Sequence, residues 1–339
     1  MNRLENYIIR NLSLLFLSIF SALFAIASVI FLIKLATYTA VIQLTILEMA
    51  KLYLFVLPEI LFYILPITFF ISATLSLFQL SNDNEVVVIF SLGIHPKFIL
   101  KTLLKPAMLL SILLFFNYLI LYPHTKILYK NFVSYKKSEA KFNLSASEFG
   151  HKFGDWLLYL GNKNSDGSYG NVFLFNKNQK EEILIGAKNA RVINDKGILR
   201  LKLQNGEGYS YSKESFSQIN FEIMFINDTM TTDLTAYKGF IEYWLDNHKV
   251  KKKRSMLITN TLLSLFPILT LFIVASIGIV HVRHQKAMVY LYLFTTIVIF
   301  YGMALGLQKI FIYYTIPIVI ISWLFITYFI YKKTILSRF

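Results

Sequence analysis

Six apolar stretches, at 12–33, 52–80, 106–122, 257–280, 287–307 and 310–331, decide what this chain can fold into. Five of them contain no charged residue, and the second holds a single one, Glu59. An α-helix rises about 1.5 Å per residue, so roughly 20 apolar residues cross the hydrocarbon of a bilayer. The third stretch is short, and residues 98–105 lengthen it at the headgroup side. The second holds Pro58 and Pro66 as well, which predicts a kinked or tilted helix. Composition agrees: 56% of the chain is hydrophobic, against about 45–50% for soluble domains. The first stretch is too long for a signal-peptide core and lacks a small-residue cleavage site, so it reads as a retained anchor. The expected class is an α-helical integral membrane protein.

Between the third and fourth spans, residues 123–250 are of another kind. The segments DWLLYLG, NVFLFN, EEILIG, ILRLKLQNG and QINFEIMFIN alternate apolar and polar residues and read as strands. Turns are expected at Ser165-Asp166-Gly167, Asp195-Lys196-Gly197 and Asn205-Gly206, where Asn, Asp and Gly tolerate positive φ. Short strands with tight turns indicate an antiparallel sandwich or jelly roll, not a βαβ enzyme fold. The plan is three spans over 1–122, a β-domain over 123–250 and three spans over 251–339. The absence of cysteine removes disulfides as a stabiliser of that domain.

Orientation follows the lysines and arginines near span ends. With the N-terminus inside, ten flank the cytoplasmic ends and seven the opposite ends, so the expectation is both termini cytoplasmic and the β-domain outside. The run Lys251, Lys252, Lys253 and Arg254 falls on the disfavoured side. Of the formal charge of +15, residues 123–250 carry only +3, and the membrane part carries +12. These charges flank lipid spans, which argues for headgroups rather than nucleic acid as their partner. The run at 251–254 suits a phosphate-bearing lipid, or is tolerated because a long domain precedes it.

The connection between spans two and three, SNDNEVVVIFSLGIHPKF, is too short to cross a bilayer and too apolar for an idle loop. Asn82 and Glu85 have the spacing of a capping box, and Gly93 with Pro96 makes a stop, so a helix near 83–92 is expected. Its four consecutive β-branched residues leave a strand open. As a helix it places Val86, Ile89, Phe90 and Gly93 on one face. Such a face needs the lipid interface or a partner protein to cover it. Glu85 favours a groove offering Arg or Lys.

The stretch LPEILFYILPITFFISATLSLFQLSNDNEVVVIFSLGIHP resembles the LptF/LptG permeases of the lipopolysaccharide exporter. The family's order is a Pro-Glu, an apolar span with a second Pro, a polar hinge, a Glu, an apolar run and a Gly. It maps onto Pro58, Glu59, Pro66, Glu85 and Gly93, and the 3 + β-domain + 3 plan and HVRHQK after span four also fit. The Pro-Glu element and HVRHQK look closer to LptF. The resemblance implies six spans with an inserted periplasmic β-jelly roll, located in the inner membrane. It implies that 83–92 is a coupling helix, with Asp83, Glu85, Val86, Ile89, Phe90 and Gly93 at the contact with an LptB-type ATPase dimer. It further implies a second permease subunit, LptC- and LptA-type jelly-roll proteins as a bridge, and lipopolysaccharide as cargo. Lys34, Glu59 and the run Lys251, Lys252, Lys253 and Arg254 become candidate substrate contacts. Gly302 and Gly306, a G-x-x-x-G in span five, become candidates for close helix packing or a gate.

Nothing in the chain suggests catalysis. No G-x-x-x-x-G-K-[ST] is present, so ATP and Mg are expected on the partner ATPase and no cofactor on this chain. The six histidines, His281 and His284 among them, form no metal-spaced set. A membrane enzyme needs convergent nucleophiles, bases or metal ligands inside the spans, and none are visible. A mechanotransmitting scaffold that carries no lipid is the alternative to a permease, and it shares the coupling helix.

Overall fold

Apolar length becomes helix along most of the chain in a computed structural model, which describes residues 2–39, 44–141, 149–153, 156–164, 167–177, 181–195, 198–212, 215–227, 240–245, 250–279, 288–310 and 314–337. Two compact units emerge. One comprises Met1–Lys34, Tyr53–Lys126 and Lys238–Phe339, and the other Leu35–Leu52 and Ile127–Tyr237.

The helical unit is built from α1 (Asn2–Thr39), α2 (Ile46–Asn82), α3 (Glu85–Ser91), α4 (Lys97–Phe116), α5 (Tyr122–Lys141), α6 (Phe240–Leu245), α7 (Val250–Leu269), α8 (Leu271–Gly278), α9 (Val289–Ile310) and α10 (Thr315–Tyr331), some of which run on beyond it. Among the described residues five helices are long and apolar enough to span, and α7 with α8, bent by 44°, makes a sixth if the pair is one span. That break is absent from the sequence expectation. Pro267 precedes it in α7, and at the break the hydroxyl and the amide of Thr270 both bond the carbonyl of Phe266, at 2.8 and 3.0 Å. The third span is longer than expected. It starts at Lys97 and continues through a π-helical turn at Asn117–Leu121 into α5. Asn117 there donates its side-chain amide to the carbonyl of Pro58, 3.1 Å away. The prolines of α2 do not interrupt it.

A chain of edge-on rings fixes the helix core: Phe70 meets Phe266, Phe266 meets Phe300 and Phe300 meets Trp323, at 5.6, 4.7 and 4.9 Å between centroids. These rings tie α2, α7, α9 and α10 with the geometry aromatic pairs prefer. Small residues set the approach of α2 to α8. A Cβ added at Gly278 meets the Leu77 Cβ at 2.6 Å and the Thr74 carbonyl at 2.9 Å, so only glycine fits. One turn along, the Ser81 hydroxyl donates to the Gly278 carbonyl at 2.9 Å.

The second unit holds one six-stranded antiparallel sheet in the order β1 (Phe149–Phe153), β2 (Trp156–Leu160), β3 (Tyr169–Lys177), β4 (Glu181–Asp195), β5 (Ile198–Ser212) and β6 (Phe216–Asn227). Five strands are those the alternation predicts, and β1 is additional. The jelly-roll expectation reduces, among the described residues, to this meander. Alternation places Leu158, Leu160, Val172, Leu174, Ile185, Leu201 and Leu203 in one buried layer.

The turn expected at Asn205-Gly206 is not a turn, because β5 runs through it. Asn205 does take positive φ, and so does Asn171 in β3. Pairing skips both: Asn171 lies opposite Lys188, Lys188 opposite Asn205, and Asn205 opposite Glu222. The four positions form a line of interrupted pairing across β3 to β6, and the register is the same on either side of it, so no residue is inserted. Left-handed tolerance thus marks a crease here, not a hairpin. At the other expected turns, Gly167 has positive φ and Asp195 pairs with Ile198. Ser165, Asp166, Lys196 and Gly197 lie outside the described residues.

Candidate functional site

A helix of only seven residues, α3, follows α2 directly. Asn84 breaks the continuity by adopting the left-handed conformation with φ 59°. The capping box expected from Asn82 and Glu85 does not form. Asn82 is the last residue of α2, and the N-cap of α3 is Asn84, without a side-chain cap bond. A capping box does exist at the start of α2, where Thr45 and Glu48 bond each other's backbone N–H at 3.4 and 2.9 Å. The stop at Gly93 is as the sequence predicts. Its φ of 80° allows the Gly93 amide to reach the Phe90 carbonyl and the Ile94 amide to reach Ile89, the double bond of a Schellman turn.

The two faces of α3 differ. Val86, 2% exposed, and Ile89 face inward, and Val86 with half-buried Phe90 roots the helix in the core. Gly93, expected on that face, is exposed because the Schellman turn carries it outward. Asp83 is exposed as well. The outer face presents Val87, Val88 (56% exposed) and Leu92 (73% exposed). The sequence reading put the ATPase contact on Val86, Ile89, Phe90 and Gly93, but Val86 and Ile89 are buried within this chain, and the apolar residues left facing outward, Val87, Val88 and Leu92, are ones that reading missed. The signal was present: seven residues with five apolar ones cannot bury them all on one stripe.

Glu85 has a partner that no spacing rule finds. The hydroxyl of Tyr7, near the start of α1, lies 2.9 and 2.8 Å from its two carboxylate oxygens. Two residues earlier, Glu5 pairs with Lys105 of α4 at 2.6 Å. The foot of α1 is therefore tied to α3 and to α4.

The candidate substrate residues fall in several places. Glu59 is half-buried on α2 and takes part in no ion pair among the described residues. Its charge reaches the phenols of Tyr63, Tyr122 and Tyr243. Lys253 comes to one of these: its ammonium lies 4.7 Å above the Tyr243 ring and donates to that residue's carbonyl at 2.6 Å. Arg254 is half-buried on α7, and the side chains of Lys251 and Lys252 lie outside the described ones. Lys34 is exposed on α1. Gly302 and Gly306 are exposed on α9, and a Cβ at either meets nothing within 4 Å, so among the described residues no helix packs against them. The segment HVRHQK, with His281 and His284, lies outside the described residues. Among those described, no group of three or more His, Cys, Asp or Glu is placed to hold a metal.

The model of the lipopolysaccharide export system permease LptF/LptG matches residues 6–332. The chain belongs to the LptF/LptG family. Its members are lipopolysaccharide export permeases, transport components of the membrane, and the match includes every candidate residue above. No curated protein is matched.

Proposed function

We propose that this LptF/LptG-family chain is the permease subunit through which a separate cytoplasmic ATPase drives extraction of lipopolysaccharide from the outer leaflet of the inner membrane. In this reading both termini and α3 are cytoplasmic, and the sheet is periplasmic. The sheet hands the lipid to a bridge of LptC- and LptA-type jelly-roll proteins, and a second permease subunit completes the path. ATP and Mg belong to an LptB-type ATPase dimer. Lys34, Glu59 and the run at 251–254 are the candidate contacts for the lipid, and Gly302 with Gly306 for the second permease subunit.

The observation that carries this is the double face of α3. Val86 and Phe90 fix it to the helical core, while Val87, Val88 and Leu92 present apolar surface beside an acidic residue. Apolar area outside the spans calls for a cover, at about 25 cal/mol per Å² gained on burial. A rooted helix with a greasy outer face transmits force from whatever grips it, which is what a coupling element does. Co-purification from the native membrane tests the reading, with and without Glu85→Arg. The wild type should bring an ATPase and a second six-span protein, and the variant should insert normally yet lose the ATPase. An ATPase retained by Glu85→Arg, together with normal lipid export, overturns it.

A further inference from the structure

We propose that Tyr7 is a latch on Glu85: its hydroxyl holds the carboxylate against the foot of α1 until a cationic side chain of the docking ATPase takes it over. This rests on the reading of α3 as the coupling helix. The first observation is the equal approach of the hydroxyl to both oxygens, at 2.8 and 2.9 Å. That is the cleft between the oxygens, the position a guanidinium fork occupies when it grips a carboxylate. A hydroxyl has one proton, so it satisfies one oxygen at a time and leaves the charge unneutralised. No ion pair among the described residues involves Glu85. The carboxylate is therefore held, and still available to a stronger partner.

The second observation concerns what the latch holds. Only 6% of the apolar window of α1 is buried, against 22–33% for the other unbroken spans. Toward its foot α1 touches the core through Leu4, Ile8 and Leu12. Polar ties at Tyr7 and Glu5 therefore count for more in placing α1 than such bonds do in a well-packed helix. Residues 5 and 7 point about 200° apart around the helix, which is why one reaches α4 and the other α3. Removing the Tyr7 tie leaves the foot held on one side. Docking of the ATPase onto α3 then does two things at once: it grips the coupling helix and releases α1.

The test uses the whole complex in vesicles, with Tyr7→Phe in this chain. The phenyl ring keeps the packing and removes the competing donor. The ATPase should bind about three- to tenfold tighter, the scale of one solvent-exposed intramolecular hydrogen bond, while lipid exported per ATP hydrolysed falls. A merely structural tyrosine predicts the opposite sign for binding, so unchanged or weaker affinity overturns the latch. As a second measurement, 3-fluorotyrosine is placed at position 7 and its fluorine resonance followed as ATPase is added. The latch requires the resonance to move on docking. A resonance that stays put with ATPase demonstrably bound overturns the latch and leaves the coupling helix intact. If ATPase does not bind the wild-type complex, the coupling reading fails and the latch falls with it.

Discussion

Apolar side chains point outward in both units, and they mean opposite things. On α4 Leu109 is 70% exposed, and on β3 Phe173 is 48% exposed. Leu109 lies within a span, where the surrounding medium is hydrocarbon and outward leucine is the stable arrangement. Phe173 belongs to a sheet whose buried layer is on the other face, together with outward Phe175, Leu184, Ile223 and Phe225. Exposure is informative only when the solvent is known. By that standard α3 stands with the sheet: Val88 and Leu92 lie outside every span.

The contrast breaks or sharpens under substitution. The largest effect is expected inside the sheet, where Leu203→Ala removes a fully buried side chain and costs about 2–5 kcal/mol, read as a fall in the thermal midpoint of the purified protein. Leu109→Asp comes next. A carboxylate at a lipid-facing position costs about 2.5–3.5 kcal/mol on insertion scales, and the membrane-inserted fraction should drop. Val88→Ser and Leu92→Ser should leave insertion and thermal midpoint unchanged and weaken ATPase co-purification about tenfold or more, the cost of lost hot-spot contacts. Phe173→Ser is expected within about 0.5 kcal/mol of wild type. A large loss there means that the outward face of the sheet is covered, as the outer face of α3 is proposed to be. Lys177→Ala should have the smallest effect of all, since its bridge to Glu182 is exposed on both sides.

The sequence carries these distinctions unevenly. Spans were legible because length against bilayer thickness is a one-dimensional criterion, and strands because alternation has a period of two. Asn205-Gly206 misled because the pair reports a tolerance for positive φ, which Asn205 uses inside a continuous strand and not in a hairpin. The box at Asn82 and Glu85 misled for a related reason. A left-handed Asn84 ends the preceding helix in between, and the carboxylate turns to Tyr7. That contact joins residues 78 apart, and no local pattern encodes it. The bend after Pro267 needed one fact that hydropathy ignores, the missing amide of proline. Val87, Val88 and Leu92 were visible as apolar, but their direction depends on which neighbours α3 meets.

The crease through Asn171, Lys188, Asn205 and Glu222 has a mechanical side. A sheet resists flexing because every strand is stitched to the next along its length. Where the stitching is interrupted at the same level in four neighbouring strands, the panels on either side stay stiff while the angle between them is the soft coordinate. That line is the spine of the sheet. Amide exchange along the spine should outpace that at Leu174 and Leu203.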